Sequence, residues 1–191
     1  MKIADKFTCV RLFFAPVFFL LYMIPVWTGH FSFVSACIML PLLGFGEFTD
    51  FLDGYFARKN HEVSDFGKVF DPFADVVLHL TCLICCVQSG YINIVFVVLI
   101  FYREFGMLFV RLIAAGKGTA IAARKGGKFK TVLYIATILF CIFIESIHRF
   151  GINLDFSVLY FIPNVLCCLC VFASYFSFFD YLIHFKKLLK N

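Results

Sequence analysis

Charged residues are scarce in this sequence, at 15% of its 191 residues, whereas hydrophobic residues make up 62%. Soluble domains usually contain about 25% charged and 45–50% apolar residues, so this composition excludes an ordinary soluble protein. Several runs reach the roughly 20 apolar residues that a transmembrane helix needs. We therefore predict an all-α integral membrane protein in which residues 1–191 form a single domain. We expect no nucleic-acid partner.

The sequence also lacks paired CxxC motifs with polar flanks, the usual signature of a zinc site. Its nine cysteines fall almost entirely in apolar segments, so we expect small buried hydrophobic residues, not metal ligands or a disulfide framework. The clustered ones are Cys82, Cys85, Cys86, Cys167, Cys168 and Cys170. No small-residue cleavage site follows the first apolar run, which we therefore expect to be a helix and not a removed signal peptide.

Polar breaks between the apolar runs predict six transmembrane helices. The predicted ranges are 8–28, 32–57, 68–89, 91–115, 130–149 and 157–183. Of the 17 basic residues, 13 fall in the terminal segments and in the 58–68 and 116–130 connections, and the opposite face has only Arg149. Basic residues favour the cytoplasmic side of the inner membrane, so we expect both termini and these two connections there.

Two aspartate pairs lie inside the predicted helices. Asp50 and Asp53 are three residues apart near the end of helix 2, and Asp71 and Asp75 are four apart near the start of helix 3, spacings that place each pair on one helical face. A charge at membrane depth costs at least a few kcal/mol, so four of them need a positive partner. Oxygen ligands favour Mg²⁺ or Mn²⁺, and paired divalent ions are a common means of transferring phosphoryl groups.

These residues carry a resemblance to a known family. The segment from Asp50 to Arg58, followed by the segment from Gly67 to Asp75, matches the pattern DxxDGxxAR, eight residues, then GxxxDxxxD. This is the signature of the CDP-alcohol phosphatidyltransferases, and its eight fixed positions all match. The resemblance implies a bundle of six membrane helices, usually dimeric, which agrees with the number of helices predicted from hydropathy.

The resemblance also implies a site. It implies that two divalent cations, Mg²⁺ or Mn²⁺, are bound by Asp50, Asp53, Asp71 and Asp75, and that Asp75 is also the general base for the acceptor hydroxyl. It further implies a CDP-linked lipid donor from which CMP leaves. The residues expected to contact this donor are Thr8, Gly54, Ala57, Arg58, Ser64 and Gly67.

A second group of charges lies outside the signature, at Arg103, Arg111, Lys128 and Lys130. An arginine at membrane depth needs an anion. That anion is either an acidic side chain of the protein or a phosphate carried by the acceptor alcohol, and we favour a phosphate-binding pocket.

The segments around these residues resemble bacterial phosphatidylglycerophosphate synthases, although Val76 and Tyr134 stand where that group usually has Lys and often has Gln. The resemblance implies transfer of a phosphatidyl group from CDP-diacylglycerol to sn-glycerol 3-phosphate. Alternatives are the same chemistry with inositol phosphate, serine or choline as acceptor, a cation transporter with a midplane ion site, and a structural membrane protein with an incidental metal site.

Overall fold

A computed structural model describes residues 3–59, 65–116, 125–152 and 157–188. In these ranges the chain forms six helices, which confirms the predicted helical bundle. They are α1 (Ile3–Thr28), α2 (Ser32–Lys59), α3 (Asp65–Gln88), α4 (Ile94–Gly116), α5 (Lys125–Arg149) and α6 (Ser157–Leu188). Several extend beyond the predicted spans, because hydropathy detects the apolar part of a helix while its hydrogen bonding continues into polar flanks. By contrast, α4 begins three residues later than predicted, where the Asn93 side chain accepts a hydrogen bond from the backbone N–H of Val95 (2.9 Å).

Among the described residues, five helical segments are long and apolar enough to cross a membrane. They are Thr8–Thr28, Ser32–Thr49, Val69–Gln88, Phe129–Arg149 and Phe161–Ile183. Helix α4 differs because it carries Arg103, Glu104 and Arg111. Arg103 and Glu104 are buried inside the bundle, so α4 keeps these two charges away from lipid. The chain is a multi-pass membrane protein.

Packing between the helices places α1 against both α2 and α3, and α5 against α2, α3 and α6. Helix α4 packs against α3 and α6. The core between them contains six of the nine cysteines as buried, unpaired thiols: Cys82, Cys85, Cys86, Cys141, Cys167 and Cys170. These side chains fill space as small hydrophobic groups, as the sequence predicted, although Cys168 is only half-buried.

Two of the turns use glycine with a positive φ. Gly90 (φ 78°) follows α3 and Gly151 (φ 79°) follows α5. In each turn the residue after the glycine donates a backbone hydrogen bond five residues back, from Tyr91 to Cys86 and from Ile152 to Ile147. This arrangement satisfies helix-terminal carbonyls and reverses the chain within a few residues.

At this end of the bundle, a polar network contains Arg149, the basic residue that the sequence placed apart from the others. Its guanidinium donates to Glu145 Oε1 (2.6 Å), Ser35 Oγ (2.6 Å) and the carbonyl of Tyr22 (2.9 Å). Glu145 also accepts a hydrogen bond from the Tyr91 hydroxyl (2.9 Å). Arg149 is therefore an internal tie between α1, α2 and α5.

Candidate active site

The acidic face of α3 is held by polar side chains from α1. Asp71 accepts a hydrogen bond from the Thr8 hydroxyl, and Asp75 forms an ion pair with the guanidinium of Arg11. Thr8 and Arg11 are almost completely buried. Both carboxylates therefore have a polar partner in the protein, and α1 helps to orient them.

Asp75 lies on the wall of a cavity of about 390 Å³ between α3, α4, α5 and α6. Three of the four cations predicted to bind the acceptor phosphate, Arg103, Arg111 and Lys130, line the same cavity. Further polar lining comes from His79, Glu104, Thr131, Tyr134, Ser177 and Tyr181, and much of the remainder is apolar. A carboxylate and three basic side chains, far apart in the sequence, thus line one cavity.

Glu104 connects the basic side chains of this cavity. Its Oε1 atom accepts hydrogen bonds from Arg103 Nη1 (2.8 Å), from the Tyr134 hydroxyl (3.0 Å) and from Lys130 Nζ. Arg103 also donates through Nε to the carbonyl of Ser174 (2.9 Å) on α6. Arg103 therefore does have an acidic partner in the protein, as the alternative interpretation of the sequence held. One carboxylate is nevertheless shared between two cations.

Arg111 differs from the other two cations in its hydrogen bonding. Its Nε atom is buried without a hydrogen-bond partner among the described residues, and so is the hydroxyl of Tyr181. The two side chains lie close enough to interact electrostatically. A buried, unsatisfied polar group costs about 1–3 kcal/mol, and more when it is charged, so such groups are often completed by water or a ligand. The charged lining of the cavity consists of Arg103, Arg111 and Lys130 with Asp75 and Glu104, so positive groups outnumber negative ones.

Side chains of α2 and α3 contact each other beyond the signature segment, on its side away from the connection between the two helices. Glu47 Oε1 lies 2.9 Å from Nε2 of His79, and a Cβ added to Gly46 would lie 3.3 Å from Leu78 Cδ2. The five residues between the helices are far too few to run the length of α2, so the pair must be antiparallel. In that arrangement, the backbone at positions 50 and 53 falls about level with positions 75 and 72.

A comparison with known proteins identifies the family of this chain. The family model described as CDP-alcohol phosphatidyltransferase matches residues 1–176. The chain belongs to the CDP-alcohol phosphatidyltransferase family.

Individual relatives agree with this membership. A protein of Treponema pallidum named CDP-diacylglycerol–glycerol-3-phosphate 3-phosphatidyltransferase is 35% identical over an alignment that covers 100% of this chain and 92% of the relative. A Bacillus subtilis protein of the same name is 34% identical over 68% of this chain and 70% of the relative. The resemblance found in the signature thus extends well beyond it.

Several of the predicted site residues fall where side chains are not described. Asp50, Asp53, Gly54, Ala57 and Arg58 belong to the C-terminal part of α2, and Lys128 to the first turn of α5, and in both places the structure describes the backbone alone. Ser64 lies outside the described residues. Gly67 is buried in the first turn of α3. Within the described part of the chain, no group of three or more His, Cys, Asp or Glu side chains could hold a metal ion. The four-aspartate cluster therefore stays a prediction.

The residues at which this chain departs from its subfamily pattern both line the cavity. Val76 is buried beside Asp75, and Tyr134 donates to Glu104. Sequence reasoning missed the roles of Glu104 and His79. Glu104 joins α4 to α5, and His79 joins α3 to Glu47 of α2, so both roles become visible only when these helices are packed. The four-residue spacing of Asp71, Asp75 and His79 was a usable signal, because it places His79 on the same helical face.

Proposed function

We propose that this phosphatidyltransferase moves the phosphatidyl group of CDP-diacylglycerol to a hydroxyl of sn-glycerol 3-phosphate, giving phosphatidylglycerophosphate and CMP. The names of its relatives support this reaction. The observation that carries the proposal is the cavity, where Asp75 and three basic side chains face the same space.

The charges of this cavity suit a phosphorylated acceptor. A phosphate monoester carries a charge of about −1.5 to −2 at neutral pH. Arg103, Arg111 and Lys130 outnumber Glu104 as charged groups on that part of the lining, which leaves positive charge for such an anion. Choline carries no anionic group, and serine carries only a carboxylate with a single negative charge, so neither matches this positive charge as a phosphate does. We therefore assign Arg103, Arg111 and Lys130, with the neighbouring Lys128, to the acceptor phosphate.

Asp75 fits a role at the reacting hydroxyl of the acceptor. As general base, its carboxylate takes the proton of the acceptor hydroxyl, and the resulting oxygen forms a bond to the phosphorus of the phosphatidyl group. The bond between that phosphorus and the oxygen that bridges to the cytidine phosphate then breaks, and CMP leaves with the bonding electrons. Arg11 holds the carboxylate in position from α1.

The donor set fits hard divalent cations. Asp71 and Asp75 supply oxygen ligands, and positions 50 and 53 lie about level with them on the neighbouring helix. Two Mg²⁺ or Mn²⁺ ions held by Asp50, Asp53, Asp71 and Asp75 would supply charge stabilisation for the diphosphate and for departing CMP. Thr8 orients Asp71 through its hydroxyl.

The remaining assignments follow from the family pattern and from the distribution of charge. Gly54, Ala57, Arg58, Ser64 and Gly67, together with Thr8, contact the CDP portion of the donor, whose acyl chains stay in lipid. The basic residues of the termini and connections support a cytoplasmic location for this end of the bundle. The assembly is a homodimer, which cross-linking in native membranes can test.

The decisive experiment is an acceptor panel. Purified protein receives CDP-diacylglycerol, Mg²⁺ or Mn²⁺, and one of glycerol 3-phosphate, inositol phosphate, serine or choline, with CMP release measured and the lipid product identified by mass. We expect phosphatidylglycerophosphate from glycerol 3-phosphate alone. A different lipid product would move the assignment to another acceptor, and an absence of CMP release with every acceptor would remove the enzymatic proposal.

A further inference from the structure

His79 is a buried polar residue of the cavity that the proposed reaction does not use. It follows Asp75 by four residues on α3, about 6 Å further along the helix axis. Its side chain lines the cavity next to the apolar residues Val76, Leu80 and Leu83. An imidazole in such surroundings has a polar group that needs a partner.

Two neighbours fix the orientation of this ring. Glu47 of α2 bonds to Nε2 at 2.9 Å, and the Tyr134 ring packs edge-on with a centroid separation of 6.4 Å. Only one of the two imidazole nitrogens is engaged by this carboxylate, which leaves Nδ1 as a second polar group on a positioned ring.

The position of His79 relative to the charges of the cavity indicates what this group would meet. Asp75 lies one helical turn before His79 on α3, and Lys130 Nζ lies 5.1 Å from the centroid of the Tyr134 ring that packs against the imidazole. In the proposed reaction, Asp75 faces the reacting hydroxyl and Lys130 faces the phosphate. His79 is therefore beside the part of the acceptor that connects these two ends.

We infer that His79 is a specificity-determining residue that hydrogen-bonds a second hydroxyl of the acceptor, between the reacting hydroxyl and the phosphate. This inference rests on the proposed function and narrows the substrate class to phosphorylated alcohols with two neighbouring hydroxyls. A site built to hydrogen-bond a substrate hydroxyl strongly rejects an analogue that lacks it, because its own polar group is then left unpaired.

The test compares two acceptors on two proteins. The acceptors are glycerol 3-phosphate and 3-hydroxypropyl phosphate, which lacks the middle hydroxyl. The variant is His79→Leu combined with Glu47→Gln, so that no carboxylate loses its partner. We expect the wild-type protein to prefer glycerol 3-phosphate by at least about tenfold in kcat/KM, and the double variant to lose most of this preference. The KM for CDP-diacylglycerol should stay within about twofold.

Two further proteins separate recognition from general damage. Thr81→Val removes a hydroxyl from α3 that donates to the Val77 carbonyl, and it should keep the full preference. His79→Gln retains hydrogen-bonding capacity and should keep part of the preference for glycerol 3-phosphate that the double variant loses. If turnover of the double variant is too low to measure, thermal stabilisation by each acceptor gives the same comparison.

An unchanged acceptor preference in the double variant, whether in kcat/KM or in stabilisation, would overturn the role of His79 while leaving the proposed reaction intact. Wild-type protein that makes no product from either acceptor and is stabilised by neither would overturn both the proposed function and this inference.

Discussion

Glu104 offers the sharpest test of how the cavity is held together, because one carboxylate oxygen accepts hydrogen bonds from Arg103, Lys130 and Tyr134. The substitution Glu104→Gln removes the negative charge while keeping the size of the side chain and an oxygen acceptor for Tyr134. It leaves two buried cations beside each other without a counterion.

The magnitude follows from burial. Glu104 and Arg103 have only 5% and 2% of their side-chain surface exposed, and Lys130 has 12%. Removing one partner of a buried ion pair costs about 3–5 kcal/mol. For a chain of this size, each kcal/mol lowers the melting temperature by about 2–4 °C. We therefore expect the melting temperature to fall by about 6–20 °C.

An anion should replace part of the lost charge. Thermal unfolding in detergent is measured with and without glycerol 3-phosphate, since a ligand at 100 times its Kd stabilises a protein by about 2.7 kcal/mol. We expect glycerol 3-phosphate to stabilise Glu104→Gln at least as strongly as wild type, because its phosphate occupies a site with one fewer negative charge.

Glu145→Gln is the matched control at the opposite end of the bundle. Glu145 is also buried and accepts hydrogen bonds from Arg149 and Tyr91. This control should lose comparable stability, yet glycerol 3-phosphate should stabilise it no more than it stabilises wild type. A melting temperature of Glu104→Gln within about 2 °C of wild type, or no effect of glycerol 3-phosphate on it, would contradict the shared role of Glu104.

Three further predictions concern catalysis. Asp75→Asn should abolish turnover while nucleotide binding partly persists, because the base is lost but much of the donor site remains. Near-normal activity of this variant would remove Asp75 from the role of general base. Asp180→Asn on α6 serves as the active control. Arg111→Met should raise the KM for glycerol 3-phosphate about 10–150-fold, because a hydrogen bond to a charged group contributes about 1.5–3 kcal/mol. An equal rise in the KM for CDP-diacylglycerol would contradict a role specific to the acceptor. A chelator should stop CMP release and added Mg²⁺ or Mn²⁺ should restore it, so activity that persists in excess chelator would refute the metal assignment.

Much of the fold could be predicted from the sequence because its signals are local. Apolar runs of membrane length predict helices wherever the polar breaks fall, and the observed helices agree within a few residues at most ends. Helix α4 is the instructive case, since it carries three charges, yet Arg103 and Glu104 are buried while Phe105 and Phe109 on the same helix are exposed. Whether such a helix keeps its charges from lipid depends on its rotation, which hydropathy does not report.

Some features of the candidate site were likewise predictable from the sequence, and others were not. The spacings of Asp50, Asp53, Asp71 and Asp75 indicate a metal-binding signature because helical periodicity relates residues three and four apart. Arg103 and Arg111 are eight residues apart, about two helical turns, a spacing that predicts a similar face, and both line the cavity. Helical periodicity could not show that Arg103 already has Glu104 as a partner, because it does not determine the conformations of adjacent side chains.

Composition, run length and residue spacing are properties of the chain, and they suffice to predict a helical membrane protein with the CDP-alcohol phosphatidyltransferase signature. The packing of the helices brings α3, α4, α5 and α6 around one cavity, gives Glu104 both Arg103 and Lys130 as partners, and pairs Glu47 with His79. These contacts join residues on different helices or depend on the side-chain conformation adopted after packing. The relative rotation and depth of packed helices, which set such contacts, are fixed by the whole interior at once.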